Sequence, residues 1–92
     1  MLIVSYDISN NKLRTRFSKF LEKYGRRLQY SVFEIKNSDR ILNIILLKIE
    51  KTFSKKFEMT DSILILNLCG PCEKKVYRYG YAVHEEEELI FA

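Results

Sequence analysis

Met1-Leu2-Ile3-Val4-Ser5-Tyr6-Asp7 begins as an apolar run and stops at an acidic side chain just ahead of a basic segment. The run is rich in branched residues and too short for a helix. Leu2–Ile8 therefore reads as a strand, and apolar residues at both parities place it in the middle of a sheet. A carboxylate at Asp7, close to cationic side chains, points to a metal ion or a phosphate nearby. By position alone it suits equally well a helix cap or an acceptor of backbone N–H groups.

Downstream, the hydrophobic period changes. Asn10 or Asn11 can cap a helix whose apolar stripe is Leu13, Phe17, Phe20, Leu21 and Tyr24, with Gly25 where a C-terminal cap belongs. Lys12, Arg16, Lys19 and Lys23 recur at helical offsets, so they stack in a second, wholly basic line. Arg14 lies on the other flank of the apolar stripe. Such a line is either a solvated cationic face or a phosphate-binding ridge.

Arg26–Lys36 carries strand-forming residues and reads as two short strands turning near Gln29–Ser31. Ser38 can cap a second helix running to about Phe53. Ile41, Leu42, Ile45, Ile49 and Phe53 form its buried face, widened by Ile44, Leu46 and Leu47. Lys51–Lys56 makes a cationic exit. Asp61–Leu68 is a further interior strand, Cys69–Lys74 turns the chain, and Val76–Val83 forms another strand in which Tyr77, Tyr79 and Tyr81 alternate with smaller or charged residues. After His84 come Glu85–Glu88 and the apolar Leu89-Ile90-Phe91-Ala92. Residues 84–92 read as a tail appended to a domain of residues 1–83. An apolar terminus is worth ordering only if it packs, so the expectation is a strand added to a partner subunit's sheet.

A chain of 92 residues is one domain, and at this size it buries only about 60–65% of the surface exposed by the unfolded chain. Dimerisation would add to that burial. With 47% hydrophobic and 30% charged residues, it falls outside the disordered and fibrous classes. The formal charge of +4 favours polyanionic partners. No basic segment precedes the first apolar run and no stretch reaches about 20 apolar residues, so the expectation is a cytosolic (cytoplasmic) chain without a membrane partner. Cys69 and Cys72 have the spacing of a redox pair or of half a zinc site. A zinc set lacks two ligands within one chain, which leaves a reduced pair at a turn or a zinc shared across a two-fold axis.

The order strand, helix, strand pair, helix, strand matches a ferredoxin-like α+β (β-α-β-β-α-β) domain with an extra C-terminal strand. Both helices then lie on one sheet face, and the other face is left open for a second copy in a homodimer. Val4-Ser5-Tyr6-Asp7-Ile8, the following Asn-Lys-Leu-Arg-Thr-Arg helix start and Gly25–Glu34 resemble the small CRISPR-associated Cas-two family, partner of the Cas-one integrase. So do Asp61-Ser62-Ile63, Cys69–Cys72 and the apolar end.

The resemblance implies a homodimer at the centre of a spacer-acquisition complex, lying along a double-stranded DNA prespacer between two Cas-one integrase dimers. It also implies a magnesium-dependent endonuclease activity on RNA or DNA. On matching motif positions, Asp7 is the metal-binding and catalytic aspartate and Tyr6 stands beside it. Arg14, Arg16 and Arg27 are the phosphate-facing arginines, with Arg26 able to take the place of Arg27. Ser31 and Phe33 belong to the strand motif, Ser31 toward nucleic acid and Phe33 at an interface together with Leu89, Ile90 and Phe91.

Lys12, Lys19 and Lys23 complete the expected polynucleotide contacts. A single carboxylate is few for Mg2+, which takes carboxylate and water oxygens, and a two-fold axis could bring a second Asp7 beside the first. A toxin-like ribonuclease of the VapD type, a family of similar fold, is the alternative.

Overall fold

The computed structural model describes residues 1–68 and 75–80. In chain order the elements are strand β1 (Leu2–Asp7), helix α1 (Asn11–Glu22), strands β2 (Gly25–Gln29) and β3 (Val32–Ile35), helix α2 (Asp39–Lys48), and strands β4 (Ser62–Asn67) and β5 (Lys75–Gly80). Among the described residues the strands form one antiparallel sheet ordered β2-β3-β1-β4-β5. The expected ferredoxin-like α+β fold, with a strand beyond its usual four, is therefore present.

β1 is central, as its apolar run predicts, pairing Val4 with Phe33 on one side and with Ile65 on the other. Strand alternation divides its side chains. Leu2, Val4 and Tyr6 are buried beneath the helices, whereas Ile3 and Ser5 are half-buried on the opposite face and Asp7 is exposed there. The core lies between the sheet and the helices. Phe33, Ile35, Ile63 and Ile65 meet the α1 stripe Leu13, Phe17 and Leu21 and the α2 stripe Ile41, Leu42 and Ile45.

Asn10 caps α1, its side-chain oxygen accepting from the Leu13 N–H at 2.9 Å. At the other end Gly25 does not serve as the cap. Lys23 ends the helix in right-handed geometry, and Gly25 instead opens β2, where a Cβ would sit 2.8 Å from the Ile35 Cα. The glycine is needed for close approach of two strands.

Ser38 caps α2 as its position predicts, accepting from the Ile41 N–H at 3.4 Å. The α-helical geometry ends at Lys48 and continues as a π turn over Ile49–Phe53, then a 3-10 turn over Ser54–Lys56. Ile45, Ile49 and Phe53 are spaced by four, a step that drifts about 40° around an α-helix. The wider turn takes up that drift, and both Ile49 and Phe53 are buried.

β5 pairs along β4 with Tyr77 opposite Ile65 and Tyr79 opposite Ile63. The Tyr79 hydroxyl donates to the Glu50 carboxylate at 3.0 Å, tying the edge strand to the π turn. Burial, reinforced by that carboxylate, pushes the Tyr79 phenol up to about 12. No helix of the described residues is long and apolar enough to cross a membrane. The expectations for Cys69, Cys72, His84, Glu85–Glu88, Leu89, Ile90 and Phe91 lie outside the described residues.

Asp61 is a fully buried carboxylate. One oxygen accepts from the Ser9 N–H and the Ser9 hydroxyl, each at 2.9 Å, and the other accepts from the Glu58 N–H at 2.9 Å. Burial pushes the carboxyl up, but these three donors outweigh it and hold the group below its ordinary value. The loop between β1 and α1 is thereby fastened to the turn that enters β4. In Asp61→Asn an amide N–H would face the Glu58 N–H, and chemical denaturation is expected to register a loss of about 1–3 kcal/mol. Because the folded-state pKa is depressed, the Asp61 contribution is present above about pH 4 and is lost as pH falls through the folded value. The gap between wild type and variant should therefore narrow in acid. Phe17→Ala, which empties the middle of the core, should lower stability by about 3–5 kcal/mol in the same measurement.

Candidate nucleic-acid interface

On the helix-covered side, at the β2–β3 end of the sheet, Tyr6, Arg14, Arg27 and Tyr30 line a cleft of about 280 Å³ with Ser18 and Lys19. Both arginines are held in place. Arg14 donates to the Ile8 carbonyl at 2.9 Å and to the Asn11 side chain, with its guanidinium 5.9 Å from the Tyr30 ring. Arg27 donates to the Tyr30 carbonyl, lies 5.0 Å over the Phe33 ring and faces the Glu22 carboxylate at 3.8 Å. Guanidinium groups fixed by backbone acceptors and aromatic faces lose little freedom when an anion arrives.

Tyr6 is buried beneath them, its hydroxyl making a long 3.5 Å contact to the Tyr30 carbonyl. Burial raises its pKa, and the Arg27 charge and hydrogen bond act against that rise. Phe33 is buried in the core of the single chain, 6.2 Å from Tyr6 and under Arg27. Ser31 is half-buried at the turn, and its carbonyl accepts from the Tyr6 N–H at 3.1 Å.

The two neighbours Tyr6 and Asp7 point to opposite faces of β1. Asp7 stands exposed at the end of the open face, opposite Ser62 of β4, and does not share the arginine cleft. Strand parity also separates the arginine pair of β2. Arg27 is opposite Phe33 and joins the cleft, whereas Arg26 is opposite Glu34 and pairs with that carboxylate at 3.0 Å. Among the described residues no three His, Cys, Asp or Glu side chains cluster as a metal site.

Lys12, Arg16, Lys19 and Lys23 are all exposed along α1 and at its exit, as their spacing predicts. At 1.5 Å per residue the line from Lys12 to Lys23 is about 16 Å long, close to the rise of five base pairs of duplex DNA. Tyr30, inside the Gly25–Glu34 motif, is 70% exposed beside Arg14.

The family model for CRISPR associated protein Cas2 matches residues 1–76. The chain is 29% identical to the CRISPR-associated endoribonuclease Cas2 2 of Methanospirillum hungatei, over 97% of this chain and 96% of the relative. It is 35% identical to the CRISPR-associated endoribonuclease Cas2 1 of the same organism, over 92% and 83% of the two chains. With the CRISPR-associated endoribonuclease Cas2 1 of Archaeoglobus fulgidus the identity is 37%, over 76% and 72%. No solved structure gives a significant match. The sheet order, the Tyr6–Asp7 strand end and the arginine cleft thus occur in a chain that belongs to the CRISPR-associated Cas2 family.

Proposed function

We propose that the protein is a homodimeric scaffold of CRISPR adaptation that grips a prespacer DNA duplex by its phosphates and bridges Cas-one integrase dimers. The observation that carries this reading is the cationic surface on and beside α1. Lys12, Arg16, Lys19 and Lys23 project from one line, and Arg14 and Arg27 are pinned on the other flank of α1, in a cleft that Lys19 also lines. Phosphate contacts of this kind fix position and orientation but carry no base sequence, and among the described residues no side-chain pattern suits readout of base edges. The scaffold would therefore respond to the shape and length of a duplex.

The open sheet face supports the homodimer. Ile3, Leu64 and Val76 are half-buried there, and no described element covers them. A second copy applied by a two-fold axis would bury them and double the cationic ridge. Asp7 lies on that same face, so the axis would bring two carboxylates toward one another.

A second reading, magnesium-dependent endonuclease, is favoured by the relatives' names, which call them endoribonucleases. Magnesium is bound by one or two carboxylates with water and phosphate oxygens, so an exposed Asp7 and its symmetry mate fit it as a ligand pair. When bound, the ion would stabilise charge on a phosphate and lower the pKa of a water. Tyr6 cannot join Asp7 within one protomer because it faces the helices. Its place is to support Arg27.

Two measurements separate the readings. Replacing Arg14, Arg16 and Arg27 together by Glu should weaken duplex binding at least 100-fold (about 2.7 kcal/mol) and stop spacer integration, with circular dichroism verifying that the variant remains folded. Asp7→Asn should leave duplex binding within about twofold, under about 0.5 kcal/mol, while abolishing any magnesium-dependent cleavage of RNA by the purified dimer. Full integration by Asp7→Asn supports the scaffold; loss of integration together with cleavage assigns the function to the nuclease.

A further inference from the structure

Phe53, in the π turn after α2, is buried against Phe17 at 4.9 Å and Phe20 at 5.8 Å. The 3-10 turn Ser54–Lys56 follows that aromatic anchor directly. Lys56 then lines a cleft of about 220 Å³ with Asn10, Lys12, Leu13 and Arg16. A second cleft, of about 390 Å³, adjoins it along α1, shares Lys12 and Arg16, and adds Lys19.

No carboxylate lines either cleft. Lys12, Arg16, Lys19 and Lys56 are exposed, and among the described residues the ion pairs involve other cations. Like charges gathered without a counter-charge repel one another, so a polyanion lying between them is favoured and a neutral or cationic partner is not. The arrangement also differs from a ridge. A ridge meets a phosphate from one side only, whereas Lys56 approaches from a second element and gives the channel two walls.

We propose that Lys56 forms the second wall of a phosphodiester groove whose first wall is Lys12 and Arg16, so that a DNA backbone runs between α1 and the Ser54–Lys56 turn. This rests on the duplex-binding reading above and extends its surface to an element that the α1 line does not include. Lys51 is also exposed but lines neither cleft, which makes it a matched control for net charge.

The test is fluorescence anisotropy of a labelled DNA duplex with the full-length protein across a range of salt concentrations, comparing wild type, Lys56→Ala and Lys51→Ala. Removing one lysine–phosphate pairing lowers the slope of log affinity against log salt by about 0.9, hence by about 1.8 for the two Lys56 positions of a dimer. Lys56→Ala should show that change and weaken binding severalfold, and Lys51→Ala should match wild type. Equal slopes for the three proteins overturn the groove and leave the α1 ridge standing. A wild-type protein that ignores the duplex at low salt overturns both. Unchanged thermal melting of Lys56→Ala shows that the effect is not structural.

Discussion

Phe17 meets Tyr6 edge-on at 5.1 Å and Phe53 at 4.9 Å, and this line of rings sets where the functional surfaces stand. It runs from the central strand through the middle of α1 to the turn that follows α2. Edge-to-face pairs add to the burial of their own area and favour this seating of the helix on the sheet. The seating fixes the rotation of α1. With Leu13, Phe17 and Leu21 inward, Lys12, Arg16 and Lys19 must face outward. Any surface built on that helix depends on aromatic packing a few ångströms beneath it.

The same parity rule that buries Tyr6 gives the sheet two kinds of work. On the helix side, Tyr6 and Phe33 support Arg27, and Arg14 is fastened to the Ile8 carbonyl and the Tyr30 ring. On the open side, Asp7 stands with half-buried aliphatic residues that no described element covers. Adjacent residues in sequence thus belong to separate surfaces. The proposed phosphate-holding and metal-holding roles are accordingly open to separate mutational dissection.

Much of this is legible in the residues. The central position of β1 follows from an apolar run with no fixed parity, the two N-caps from Asn10 and Ser38, and the outward basic line from offsets of four, seven and eleven. Gly25 is ambiguous by sequence, because a glycine at the end of a helical pattern suits a cap and a close strand crossing equally. Only the Glu34–Ile35 backbone distinguishes them, in favour of the crossing. Which of Arg26 and Arg27 enters the cleft depends on strand pairing, since a register slip of one residue would exchange them. The three donors around Asp61 and the meeting of Lys56 with Arg16 are products of packing between distant segments. No local pattern encodes them.

The face made by α1 and the turn after α2 is the one proposed to hold the phosphates of a duplex. Amide chemical-shift mapping of isotopically labelled protein titrated with duplex DNA tests that assignment most directly. Perturbations are expected to concentrate at Lys12–Lys19, Arg27 and Lys56, with the open-face amides of Ile3, Ser5 and Leu64 unmoved. Perturbations confined to the open face, or none at low salt, would contradict it.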